Sequence, residues 1–193
     1  MRQYVSEYLK LLGKSDRRSE LMVRRIRLKH PIFHLLTMNA FKYIFENGVL
    51  FKVKPGQCVY KEYQPARAHV YFVLYGQMDF RNTKVGKFGE IIGLGWTVGE
   101  EILYGEDNEK DILRLENCTS LGHSCLLQCS VDDLVCMSTQ KHVTAGGGSL
   151  EQDYRILLSF LEKNFEVKSS WRKEKGLLET VHEEQDDYDG DHK

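Results

Sequence analysis

The chain has 193 residues, enough for one well-buried core with a helical flank and too few for two complete domains of ordinary size. Apolar residues make up 41% of it and aromatic residues 11%, a composition that folds. Its formal net charge of -1 leaves no basic surplus to offset phosphate repulsion, which argues against general nucleic-acid binding.

The N-terminal stretch MRQYVSEYLKLLGKSD has no continuous apolar core and no small-residue cleavage site, so no signal peptide is expected. No run approaches the roughly eighteen apolar residues that span a membrane. The first 47 residues read as helical. Tyr4, Tyr8 and Leu11 share a face, and Lys14, Arg17, Arg18, Arg24, Arg25 and Arg27 make the following stretch basic. From Pro31, a residue suited to a first helical turn, the run PIFHLLTMNAFKYIFENG sets Ile32, Leu35, Leu36, Met38, Phe41, Ile44 and Phe45 on one broad stripe that stops at Gly48.

From Val49 the period changes to two. VLFKVKPGQCVY predicts a strand, a Pro-Gly turn and a second strand; HVYFVLYGQMDFRN is an apolar, aromatic and β-branched run broken by Gly76; KVGKFGEIIGLG follows as a hairpin-like unit. Residues 112–118 and 124–131 are two further candidate strands. Many short strands with glycine turns, set between helices, indicate a small β-roll or barrel flanked by helices. SVDDLVCMS opens a short helix capped by Ser130 or Asp132. TAGGGS is a flexible break, because adjacent glycines destabilise any helix or strand. A firmer helix is expected over 150–165, where Tyr154, Leu157, Leu158, Leu161 and Phe165 form a stripe. The acidic end, Glu183 to Asp191, reads as disordered or ordered only against a partner, and ends of this kind solvate a chain or touch a neighbour more often than they do chemistry.

Five cysteines, an odd number without framework spacing, predict reduced thiols in a cytosolic setting. Cys118, Cys125, Cys129 and Cys136 lack the close pairs of a zinc site and are expected to be buried, inert thiols. His34, among helix apolar positions, is expected to be half-buried, and His123 to lie in a turn. GKFGEIIGLG lacks the Lys-Ser/Thr ending of a triphosphate loop and the strand-then-long-helix context of a dinucleotide site, so its glycines serve barrel turns. No Ser-His-Asp, paired-carboxylate or Cys-His grouping is supported by spacing, and no catalytic residue and no metal site are assigned.

In FKVKPGQCVYKEYQPARAHVYFVLYGQMDF, followed by the final strand and its step SVDDL into a short helix, the chain resembles a cyclic nucleotide-binding domain over roughly residues 30–140. The resemblance implies a phosphate-binding cassette. Val98-Gly99-Glu100 stands where the family has Phe-Gly-Glu, with Glu100 accepting from a ribose 2'-hydroxyl. Arg114-Leu115-Glu116-Asn117 stands where it has Arg-x-Ala-(Thr/Ser), with Arg114 pairing with the cyclic phosphate. The candidate nucleotide-binding residues are therefore Gly99, Glu100, Arg114 and Asn117. A guanidinium fork and the amides of a short helix suit a singly charged phosphodiester.

Three features depart from that pattern. Glu116 replaces a small alanine on the same face as Arg114, where it can pair with the arginine or repel a phosphate. Asn117 replaces a hydroxyl. The connection to Arg114 is long and carries Glu101, Glu106, Asp107, Glu109 and Asp111 against Lys110. The expected division is a helical extension over 1–30, a cyclic nucleotide-binding-like domain over 31–140, a Gly-rich linker over 141–149, a helix and basic segment over 150–175, and an acidic, disordered tail over 176–193. The expected function is a non-catalytic scaffold or assembly component of a larger intracellular complex, without a cofactor. The alternative is a regulatory module that binds cAMP or cGMP. Expected partners are other proteins rather than nucleic acid, in the cytoplasm, and a cilium or cytoskeletal apparatus is where divergent copies of this family point.

Overall fold

The computed structural model describes residues 25–66, 68–103, 113–139 and 150–177. The expectations for the first helix, the acidic connection over 104–112, the Gly-rich linker and the acidic tail beyond 177 lie outside these residues. Helix α1 (Met38–Asn47) leads into strands β1 (Val49–Val53), β2 (Cys58–Tyr60), β3 (His69–Tyr75), β4 (Met78–Asn82), β5 (Gly86–Lys87) and β6 (Thr97–Val98). A 3-10 turn at Glu100–Leu103 precedes β7 (Asn117–Ser120) and β8 (Ser124–Ser130), and helices α2 (Val131–Thr139) and α3 (Leu150–Glu174) follow.

Among the described residues the strands form two four-stranded antiparallel sheets, ordered β1-β8-β3-β6 and β2-β7-β4-β5. This is the expected β-roll flanked by helices. The first sheet is covered on both faces, and the register shows how. β3 and β8 pair Phe72 with Leu127 and Val73 with Leu126. Successive side chains point to opposite faces. Phe72 and Leu127 therefore join Phe33, Phe41, Ile44, Leu157 and Leu161 beneath the helices, while Val73 and Leu126 join Met78, Phe80, Ile92, Val98 and Cys118 between the sheets. Each fully buried large apolar side chain contributes about 1.5–3 kcal/mol.

The helix predicted from Pro31 begins later. Residues 31–36 form turns, and the Thr37 hydroxyl caps α1 by accepting from the Ala40 N–H at 3.3 Å. The turns shift the stripe by a residue or two. Phe33 becomes fully buried while Leu35 and Met38 are exposed, and His34 is exposed rather than half-buried. The buried imidazole is His30, stacked on Phe33 at 4.3 Å with Phe72 and Phe160 at its edges. Cys118 and Cys129 are buried as expected, Cys125 is half-buried, and Cys136 is exposed on α2. Burial pushes the Cys118, Cys125 and Cys129 thiols above their ordinary range.

α3 runs nine residues past the predicted helix, and its buried face explains why. Leu150, Asp153, Leu157, Leu161, Asn164, Lys168 and Arg172 are buried at helical spacing, so the face starts apolar and ends charged. Asp153 fixes its near end: its carboxylate accepts from the Thr37 N–H at 2.9 Å and from the Thr37 hydroxyl at 2.5 Å.

Candidate functional site

The chain leaves β6 at Gly99 and turns into Glu100–Leu103, which sets Glu100 and Glu101 at the mouth of the roll. Arg114 lies opposite, its backbone held by Arg114 N–H donating to Gln64 O at 2.9 Å and Tyr63 N–H donating to Arg114 O at 2.8 Å. Its guanidinium stacks over the Tyr60 ring, 4.4 Å from the centroid. Gly99 has φ +89°, and a Cβ there would lie 2.9 Å from His69 O and 3.2 Å from both Arg114 Nη atoms. Glycine is thus required for the backbone and for the approach of the guanidinium. We expect Gly99→Ala to lower stability by about 2–4 kcal/mol in chemical denaturation, from positive-φ strain plus overpacking. A loss below about 1 kcal/mol would contradict this packing.

Gly99, Glu100 and Arg114 therefore sit together, but each charge is already matched. Arg114 Nη1 pairs with Glu101 Oε1, and Lys168 of α3 pairs with Glu100 Oε1. Lys168 Nζ also donates to Thr97 O at 2.9 Å, and the neighbouring Asn164 Oδ1 accepts from the Thr97 N–H at 3.4 Å. Arg172 grips Glu116 with both ends of its fork, Nη2 to Oε1 at 2.6 Å and Nε to Oε2 at 3.2 Å. The Tyr60 hydroxyl donates to the same carboxylate at 3.1 Å. Glu100, Arg114, Glu116, Lys168 and Arg172 are all less than 5% exposed. Among the described residues three carboxylates thus face three cations in one cluster, buried except for the half-buried Glu101.

The protonation tendencies follow. Burial works to raise the Glu101 carboxyl, but Arg114, Arg172 and Lys168 outweigh it and hold it below the usual carboxylate range. Burial works against the charge on Arg172 and Arg114, and Glu116 and Glu101 respectively reverse that, leaving both guanidiniums more firmly protonated than in water. Burial, then Glu116, pushes the Tyr60 hydroxyl well up.

Two expectations need correction. The carboxylate that closes Arg114 is Glu101 from the 3-10 turn, whereas Glu116 turns to Arg172. Asn117, the first residue of β7, points away from the cluster. Its Oδ1 accepts from the Glu62 N–H at 3.2 Å and its Nδ2 donates to Arg81 O at 3.3 Å, so it ties the second sheet together outside the cluster. Sequence reasoning missed Lys168 and Arg172 altogether. Their one-turn spacing, in phase with Leu157 and Leu161, was the available signal. Between them and the roll, Trp171 packs on Trp96 at a centroid distance of 5.7 Å and crosses Gly89, where a Cβ would meet the indole at 2.4 Å.

Beside Arg114 a cavity of about 370 Å³ remains, lined by Val59, Tyr60, Gln64, Pro65, Tyr71 and Arg114. Among the described residues no group of His, Cys, Asp and Glu is placed to hold a metal ion, and no helix is long and apolar enough to cross a membrane.

No protein-family model matches the sequence, and no curated protein does. Solved structures do match in shape. A Geobacter metallireducens protein assigned as cyclic nucleotide-binding superposes with a TM-score of 0.54 at 14% identity, covering 77% of this chain and 96% of its own. The fold is that of cyclic nucleotide-binding domains. The cyclic nucleotide-binding fold also aligns with the c-di-GMP responsive global regulator of Xanthomonas campestris, at TM-score 0.56 and 15% identity over 72% of this chain and 63% of that one. It aligns likewise with the regulatory subunit of a cAMP-independent protein kinase A from Trypanosoma brucei, at TM-score 0.55 and 13% identity over 76% of this chain and 47% of that one. Within the cyclic nucleotide-binding fold, the mouth of the roll is where this chain has placed its own charged helix.

Proposed function

We propose that this chain is a non-catalytic structural component of a larger cytoplasmic protein assembly, built on a cyclic nucleotide-binding fold whose candidate anion-site charges are taken up internally, Arg114 by Glu101 of the 3-10 turn and Glu100 by Lys168 of α3. The observation that carries this reading is the charge-matched cluster of Glu100, Glu101 and Glu116 with Arg114, Lys168 and Arg172. To accept a cyclic phosphate, Arg114 must release Glu101 and leave a buried carboxylate beside a second anion. Uncompensated buried charges of this kind cost several kcal/mol, and about 4 kcal/mol weakens binding roughly a thousandfold. The Trypanosoma brucei neighbour, the regulatory subunit of a kinase described as cAMP-independent, is a precedent for this fold without that dependence.

The second reading, a regulatory module for cAMP or cGMP, draws on the cavity beside Arg114, whose volume of about 370 Å³ lies in the range of small-molecule sites. Titration calorimetry of the full chain with cAMP and cGMP at low salt separates the two. The closed-site reading expects no heat of binding up to millimolar ligand. Micromolar binding that disappears in Arg114→Ala would overturn it.

A further inference from the structure

α3 ends in a defined turn. Gly176 N–H donates to Lys173 O at 3.0 Å, Leu177 N–H donates to Arg172 O at 2.9 Å, and Gly176 has φ +66°, the left-handed cap that turns a chain off its helix. Leu177 then packs on the inter-sheet core that also takes Val85 and Phe88, and Trp171 crosses Gly89. The chain thus leaves α3 on the side of the β4–β5 hairpin. That hairpin shows one sign of charge to solvent. Arg81, Lys84 and Lys87 are exposed, while the carboxylates beneath them, Asp79 and Glu62, are buried and engaged. Arg81 Nε and Lys87 Nζ share Asp79 at 2.9 and 3.6 Å, and Glu62 accepts from Asn82 Nδ2 at 2.7 Å and from the Thr83 N–H at 2.9 Å. β5 is an outer strand of its sheet, and a Cβ at Gly86 would meet nothing within 4 Å, so the hairpin borders open space.

We propose that the β4–β5 hairpin is a docking surface for acidic peptide, and that its occupant is this chain's own segment 183–191. That segment carries Glu183, Glu184, Asp186, Asp187, Asp189 and Asp191 with no lysine or arginine among them, the complement of the hairpin's exposed charge. Residues 178–182 separate it from Leu177, and five residues span up to about 17 Å when extended. Tethering over so short a distance supplies an effective concentration in the millimolar range, which lets individually weak exposed ion pairs act together. The contact leaves the charge cluster at the mouth of the roll untouched, so it stands or falls separately from the closed-site reading.

Zero-length carbodiimide cross-linking of the full chain, read by mass spectrometry on the monomer fraction, is the test. At low salt the expected product joins Lys84 or Lys87 to a carboxylate of 183–191. At about 1 M salt, where the screening length falls to about 3 Å, its yield should drop at least about tenfold. Lys84→Gln, at an exposed position, should lower the yield at Lys87 about two- to fivefold. Links from 183–191 that reach only Lys173 and Lys175, links only between two copies of the chain, or no link at all would each overturn the proposal. So would a yield at Lys87 that neither salt nor Lys84→Gln changes.

Discussion

Glu116→Ala is expected to destabilise the protein by about 3–5 kcal/mol in urea unfolding, the range for removing one partner of a buried ion pair. The change strands the Arg172 guanidinium, 4% exposed and bound through two nitrogens, and leaves the Tyr60 hydroxyl without its acceptor. Most of the loss comes from those orphaned groups rather than from the pair itself. Glu116→Leu, Arg172→Met and Tyr60→Phe made together should therefore recover to within about 1–2 kcal/mol of the wild type, since a buried ion pair exchanged for apolar side chains of similar volume is often neutral. If the single change costs under about 1 kcal/mol, the cluster does not hold α3 on the roll.

His30 supplies the second large effect. The imidazole is fully buried among Phe33, Phe72 and Phe160, and among the described residues neither ring nitrogen has a hydrogen-bond partner. Burial lowers its pKa from 6.5 to about 3. Between those values the unfolded chain binds a proton that the folded chain refuses, so stability falls as pH falls through this window. The slope approaches about 1.4 kcal/mol per pH unit and flattens below the folded pKa. Glu101 adds a separate loss at lower pH. Its folded pKa is depressed, so its contribution is complete above the ordinary carboxylate range and disappears as pH drops through its folded value. His30→Leu should remove the first slope and keep the second, and near neutral pH it should stabilise by about 1–3 kcal/mol through loss of two unsatisfied buried nitrogens. Unfolding curves at about pH 7 and about pH 5 decide it: a wild-type stability that does not change between them contradicts a neutral, buried His30.

What could be read in advance followed from composition and turn chemistry. β3 and β4 announced themselves as an apolar, aromatic and β-branched run broken by Gly76, the Pro55-Gly56 turn separated β1 from β2, and Ser130 caps α2, its hydroxyl accepting from the Asp132 N–H at 3.2 Å. The resemblance singled out Gly99, Glu100 and Arg114 as the ends of a cassette, and the fold brings Gly99 against the Arg114 guanidinium. The partners of those residues were not legible. Lys168 and Arg172 lie on a helix whose exposed and buried faces both carry charge, so an apolar stripe ends at Phe165 while burial continues to Arg172. Glu116 looked like a threat to Arg114 because a strand expected over 112–118 would put both on one face; β7 begins only at Asn117, and a cation from a distant helix was invisible to local counting. The same limit misplaced His34 and overlooked His30, whose burial depends on turns before α1.

Hydrogen exchange across α3, with and without cyclic nucleotide, tests the central claim most directly. If α3 is an integral stopper, the amides of Leu161 to Arg172 open only with global unfolding, and their protection is unchanged by millimolar cAMP or cGMP. If those amides exchange as freely as an undocked helix, or change their protection saturably with micromolar nucleotide, the site is open to ligand and the account of a closed pocket is wrong.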